Sequence, residues 1–276
     1  MLFQYLGTAA AEGIPAIFCA CDLCAHARRV GGYNVRTRSG AIVDGVLKID
    51  LPPDTYHHLL TYGLDLTDVE HMLITHPHED HYAYAELAYR ARGYGQLRPG
   101  AKPLTVYGGK EAGELFMKRV AEEDDWQDVL AFHRLKPYVA VRIGEYTVTP
   151  LPARHAPEFE CFIYLIEREG KNLLYAHDTG QLFEEVYDAL EGQKIDFVSL
   201  DLTYMNLDTR RQPGNGHMGL PAAKIVRERL LKNGAATDKT IFAVNHFSHN
   251  GGLTHEQLKK EAVGFLVSYD GLEIVI

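Results

Sequence analysis

Two kinds of apolar spacing alternate along the chain. Short runs rich in β-branched and aromatic residues, bounded by Gly, Pro and Asp, fall at residues 2–6, 39–43, 46–49, 71–75, 104–107, 138–143 and 146–149, and read as strands. A second series follows at 159–167, 172–176, 197–201, 240–244 and 272–276. Between them, residues 54–62, 80–92, 109–122, 181–191, 220–233 and 254–265 carry apolar side chains at roughly 3.6-residue spacing, several behind an Asp, Thr or Gly suited to capping. Two strand-rich halves, each with its own helices, predict an α/β sandwich in place of a plain βαβ alternation. No repeat, low-complexity tract or charge block marks a linker, so the expectation is one domain over residues 1–276. The acidic segment 121–129 reads as a solvated helix end or loop. Residues 204–219, polar and rich in Gly and Pro, read as a long ordered loop, a length uncommon in a compact domain unless it carries function.

Composition narrows the class without choosing the chemistry. With 46% hydrophobic and 24% charged residues among 276, the chain can bury a large core. A net charge of -9 disfavours nucleic acid as a partner, because affinity for phosphate backbones comes mainly from Lys and Arg. No apolar stretch approaches the roughly 20 residues of a membrane span, and MLFQYLGTAA lacks a signal peptide's basic start, so the expected location is cytoplasmic, with no membrane partner. Oligomeric state is not legible, and a homodimer stays open.

The densest chemistry lies in ITHPHEDHYA, residues 74–83. An extended chain points residues two apart the same way, so His76 and His78 can aim both imidazoles at one point. Asp80 and His81 open the pattern DHYAYAELAYRA, which reads as a helix start, so they face elsewhere and could serve a neighbouring ion. A lone histidine on a polar turn needs no metal. Four potential ligands within six residues, delivered by an apolar strand, point to two adjacent cations such as Zn, Mn or Fe.

His76-Pro-His78-Glu-Asp80-His81 resembles the H-x-H-x-D-H signature of metallo-β-lactamase-fold hydrolases, and the resemblance spans nearly the whole chain. It implies an αββα four-layer sandwich with a di-metal site. Three later segments offer the remaining ligands in order, with His155 in LPARHAP, Asp178 in NLLYAHDTG and His246 in IFAVNHFSHN. Carried over, the resemblance implies His76, His78 and His155 on one metal, Asp80, His81 and His246 on the other, and Asp178 between them. A hydroxide shared by the two ions would be the nucleophile, and Asp80 could take its proton. Taken singly, His155 could be a loop histidine, Asp178 a cap, and His177 and His249 compete with Asp178 and His246.

A second cluster lies near the start. GTAAAEGIPAIFCACDLC places Cys19, Cys21 and Cys24 in a Gly- and Pro-containing loop, one ligand short of a closed tetrahedral zinc site, and His26 or His249 could complete it. Together with the late H-F-S-H-N, this resembles the branch containing the cyclic-phosphate phosphodiesterase of the carbon-phosphorus lyase pathway and pyrroloquinoline-quinone biosynthesis protein B. That resemblance implies a structural zinc on Cys19, Cys21, Cys24 and His249, with His26 in reserve. Cys161, within FECFIYLI, reads as a buried apolar residue.

The expected function is a metal-dependent hydrolase, foremost a phosphodiesterase acting on a small cyclic or nucleotide-like phosphodiester. His217, in GNGHMG, is the candidate proton donor, although a solvent-facing loop histidine reads almost as well, and Arg210 and Arg211 are candidate phosphate contacts. Thr8, Ser39 and Asp50 carry no assigned role. Residues 82–135 are long enough for an added cap. Thioester or lactone hydrolysis at the same site and a non-catalytic cofactor carrier are the alternatives. Transfer-RNA processing lacks a basic arm, and di-iron redox chemistry lacks its extra domain.

Overall fold

The structure is a computed structural model, and it describes residues 1–121, 124–209 and 216–276. One sheet takes β1 (Leu2–Gly7), β2 (Gly40–Val43), β3 (Leu47–Ile49), β4 (His71–Leu73), β5 (Leu104–Gly108) and β6 (Leu130–Arg134). The other takes β7 (Val141–Ile143), β8 (Tyr146–Pro152), β9 (Phe162–Arg168), β10 (Lys171–Ala176), β11 (Ile195–Asp201), β12 (Ala236–Asn245) and β13 (Leu266–Val267), while β14 (Glu273–Val275) returns to pair with β1. In space the first sheet runs β14-β1-β2-β3-β4-β5-β6 and the second β13-β12-β11-β10-β9-β8-β7.

Period-two alternation makes these strands two-faced. In β9, Phe162, Tyr164 and Ile166 join Phe3, Leu73, Tyr175 and Phe197 between the sheets, whereas Ile163 and Leu165 face the opposite layer. Each sheet therefore needs a helical cover. The first receives the helix Lys110–Val120 through Ala112, Phe116 and Val120, and the second receives the helices Glu184–Leu190 and Leu220–Lys232 through Val186, Leu190, Val226 and Leu230. The result is the four-layer αββα sandwich that the resemblance implied.

Several local expectations are corrected. Asp80 and His81 sit in a turn, and the helical residues after them are the 3-10 stretch Tyr84–Arg90. The Cys-bearing segment is only partly loop, since Cys24 lies in the helix Asp22–Val30, with Asp22 in its first turn and Arg28 and Arg29 in its last. Leu130–Arg134 is a strand that the pattern did not single out. Trp126 is buried against the helix Lys110–Val120 under the Arg119 guanidinium, which anchors the 3-10 stretch Asp124–Asp128 there. Cys161 is buried as expected. Among the described residues no helix is long and apolar enough to cross a membrane.

Parallel pairing aligns the chain ends that matter. β3, β4 and β5 run parallel in one sheet, and β10, β11 and β12 run parallel in the other. Their C-terminal ends release Asp50, the His76–His81 turn, Asp178, Asp201 and His246, the place where parallel strands present ligands.

Candidate metal centre

The cluster is assembled at backbone positions that few side chains tolerate. Asp50, Asp178 and His246 all have positive φ, at 59°, 49° and 64°. Strain of this kind, of order 1–3 kcal/mol each, persists where surrounding contacts fix it and is a mark of functional sites. His76 Nε2 lies 2.9 Å from His78 Nδ1, and His155 Nε2 lies 3.1 Å from the same His78 atom. His81 Nε2 and His246 Nε2 are 3.3 Å apart, and His81 Nε2 is 3.3 Å from Asp80 Oδ2. Asp178 stands between the two groups, with Oδ2 at 2.9 Å from His81 Nε2 and 3.0 Å from His246 Nε2, and Oδ1 at 3.8 Å from His155 Nε2.

Hydrogen bonds behind these rings decide which nitrogens face inward. Asp50, wholly buried, accepts from the Thr75 amide at 2.8 Å, from the Thr75 hydroxyl at 3.0 Å and from His81 Nδ1 at 2.8 Å. The Thr75 hydroxyl, committed to Asp50, accepts in turn from His76 Nδ1 at 3.0 Å. The second sheet repeats the device. Asp201 accepts from the Thr203 hydroxyl, Thr203 Oγ1 accepts from His246 Nδ1 at 2.9 Å, and Asp201 Oδ2 accepts from His217 Nδ1 at 3.0 Å. His155 Nδ1 is turned to the Gly216 carbonyl at 3.3 Å, an approach that requires glycine because a Cβ at 216 would meet that ring nitrogen at 2.7 Å. His76, His81, His155 and His246 thus use Nδ1 outward and turn Nε2 inward, as histidine ligands do.

These donors fit divalent cations. Lone pairs packed against one another repel unless a cation sits among them, and tetrahedral ligation at about 2.0–2.1 Å puts neighbouring nitrogens near 3.3 Å. Asp178 Oδ2 is a buried carboxylate oxygen with no hydrogen bond of acceptable geometry, although two imidazole nitrogens lie within 3.0 Å. Electrostatics agree. Burial holds His76 well toward the neutral form and His155 in the same direction, whereas at His81 burial is overcome by Asp178, Asp80 and Asp50, which raise its pKa, and burial of Asp178 is outweighed by His246 and His81, which keep it ionised. Burial of Asp80 is likewise outweighed by His81. Burial also opposes charge on His217, yet Asp201, Asp178 and Asp80 push its pKa up to about 9.

His217 and Asp80 line a pocket of about 240 Å³ beside Asp178, with Tyr204 and Glu12 on its wall. A larger cavity of about 720 Å³ lies between the helix Thr55–Tyr62 and residues 64–97, is mainly apolar, and includes none of the clustered imidazoles, so the smaller one is the candidate site. Arg210 and Arg211 lie outside the described residues. Among the described residues no Lys or Arg lines the small pocket.

The cysteine cluster is a second donor set. Cys19 Sγ and Cys21 Sγ each lie 3.5 Å from His249 Nδ1, and Cys24 completes the group. Tetrahedral zinc with bonds of about 2.3 Å to sulfur and 2.05 Å to nitrogen requires S···N separations near 3.6 Å, so the fit is good. Burial opposes a thiolate at Cys21, but the Cys24 amide, His249 and Cys19 bring it down to about 6, while burial above all pushes Cys24 up to about 11. His26 lies apart, 3.4 Å from Arg29. Asp50 and Asp201, unassigned from the sequence, are the residues that orient the rings. Their positions at the ends of β3 and β11 were the available signal.

Fold and site together define a two-sheet protein with a His/Asp cation cradle at the strand edges. The profile of the beta-lactamase superfamily domain matches residues 43–230, and the chain belongs to that family. Among solved structures it is similar to a diphosphatase of the PhnP family, at 21% identity and TM-score 0.74 over 99% of this chain and 96% of that one. It is also similar to zinc-bound PqqB from Methylobacterium extorquens, at 20% identity and TM-score 0.71 over the whole of both chains. Human tRNase Z, short form, is 14% identical with TM-score 0.69 over 100% of this chain and 99% of that one. At these identities the likeness concerns the fold. No curated protein sequence matches the chain.

Proposed function

We propose that this chain is a cytoplasmic metal-dependent phosphodiesterase cleaving a small cyclic or nucleotide-like phosphodiester. Two divalent cations, Zn or Mn, would be held by His76, His78 and His155 on one side and Asp80, His81 and His246 on the other, with Asp178 reaching both. When bound, they acidify a water and neutralise phosphoryl oxygens. Asp80 accepts the proton of the attacking water. His217 delivers a proton to the leaving alkoxide, and Asp201 holds it protonated for that task. The neighbouring structures are by their names a diphosphatase and a tRNase, both cleaving bonds to phosphorus, which agrees with this reading. Cys19, Cys21, Cys24 and His249 would hold a structural zinc.

The observation that carries the proposal is His217, held through Nδ1 by buried Asp201, standing in one small pocket with Asp178, whose Oδ2 has no hydrogen-bond partner. Acyl hydrolysis of a thioester or lactone is the second reading, favoured by the lack of a Lys or Arg among the described lining residues. Hydrolysis of bis(p-nitrophenyl) phosphate against p-nitrophenyl acetate by metal-loaded protein separates them. We expect phosphodiester turnover that Asp80→Ala lowers on the order of 10³-fold while the cysteine-bound zinc stays. Ester cleavage without phosphodiester cleavage, or full activity in Asp80→Ala, overturns it.

A further inference from the structure

The two donor clusters share one turn of chain. His246 opens it and His249 lies in its 3-10 segment His249–Gly251, so whatever braces residues 246–251 braces a ligand of each. The N-terminal segment does the bracing. Phe247 N donates to Thr8 O and Ala10 N donates to Phe247 O, both at 2.9 Å, which lays residues 8–10 along the turn. Two residues further, the Glu12 carboxylate reaches across. Its Oε1 accepts from Ser248 Oγ at 2.9 Å and from Asn250 Nδ2 at 3.2 Å. Ser248, buried, is itself the cap of the 3-10 segment and accepts from the Asn250 amide at 3.2 Å.

The same oxygen lies 3.9 Å from His249 Nε2, while His249 Nδ1 faces the sulfurs of Cys19 and Cys21. That separation is too long for a formed hydrogen bond and short enough for charge attraction. A carboxylate behind a histidine whose other nitrogen faces metal raises the ring's basicity and fixes its orientation. Glu12 also forms part of the wall of the catalytic pocket.

We infer that Glu12 is a positioning residue joining the two clusters: it orients His249 toward the cysteines and, through Ser248 and Asn250, sets the wall of the substrate pocket. Occupancy of the cysteine site is then felt in substrate binding, because Glu12 sits on the loop that leads into Cys19 and cannot keep its three contacts if that loop loosens. Reagents that oxidise the thiols would act on the pocket by the same path.

The inference rests on the reading of Cys19, Cys21, Cys24 and His249 as a zinc site, and the test keeps the two apart. Native holoprotein is treated with 5,5′-dithiobis(2-nitrobenzoic acid), and the rate at which the clustered thiols react is followed for the parent, Glu12→Gln and Glu12→Ala. Gln keeps an acceptor for Ser248 and Asn250 but loses the charge facing His249, whereas Ala loses both. We expect thiol reaction about 10- to 100-fold faster in Glu12→Gln and faster still in Glu12→Ala, with KM for bis(p-nitrophenyl) phosphate rising severalfold in the same order. Thiols protected in the parent and equally protected in both variants overturn the role of Glu12 alone. Parent thiols that react as fast as in chelator-stripped protein overturn the zinc reading and this inference with it.

Discussion

The two sheets meet at the candidate metal centre with the same device turned to different ends. In the first sheet, Asp50 and the Thr75 hydroxyl orient His81 and His76, both candidate metal ligands. In the second, Asp201 and the Thr203 hydroxyl orient His246, a candidate ligand, and His217, which the proposed chemistry uses as an acid. Both carboxylates are fully buried at strand ends. A buried anion is tolerable only where hydrogen bonds surround it, and each of these is encircled by a threonine and imidazole donors. The difference teaches how one packing solution can serve two tasks: the first sheet's carboxylate orients two candidate cation ligands, and on the proposed reading the second sheet's orients one such ligand and a proton donor.

The comparison can be broken most severely at the carboxylates. Asp201→Asn leaves a hydrogen-bond acceptor for His217 but removes the charge that keeps it protonated, and we expect kcat to fall about 100-fold or more, with bound metal lowered far less. Asp50→Asn strikes two ligands instead, so equilibrium dialysis should show metal affinity reduced about 10- to 100-fold. Equal loss of metal in both variants would erase the distinction between the sheets.

The pH profile sharpens it further. His217 has a pKa raised to about 9, so the acid is fully protonated below its ordinary range near 6.5 and loses its proton as pH rises through about 9. Cations held by Asp178 and Asp80 would offset part of that rise in pKa, so turnover should decline on the alkaline side at or below that value. Asp201→Asn should move the decline to lower pH, and His217→Gln should remove it. The smallest effects belong to the hydroxyl relays. Thr75→Val and Thr203→Val each cost a hydrogen bond of about 1 kcal/mol behind one ring, and both should weaken metal binding severalfold, read by competition with a chromogenic chelator.

How much of this was visible in the chain depended on whether the signal was local. HPHEDH is local, and so are the apolar runs that end at His76, Asp178 and His246, which is why the strands and the candidate ligands could be named from spacing and resemblance. Asp201 could not, because its meaning lies in contacts with Thr203, His217 and His246 made only after folding. Asp50 was noticed without a role for the same reason. The helix Asp22–Val30 was overlooked because three cysteines suggested a loop, although acidic Asp22 at its start and Arg28 and Arg29 at its end mark a helix dipole. Strand Leu130–Arg134 has only Leu130 buried on one side of a sheet edge, so its pattern was weak. Between His249 and His26 the resemblance preferred His249, and the fold puts His249 beside the cysteines with His26 turned to Arg29.

Anomalous diffraction from crystals of the metal-loaded protein tests the central claim most directly. The account predicts two peaks roughly 3.5–4 Å apart flanking Asp178, one nearer His76, His78 and His155 and one nearer Asp80, His81 and His246, plus a third among Cys19, Cys21, Cys24 and His249. Density at the cysteines with none beside Asp178, after loading with zinc or manganese, would contradict it.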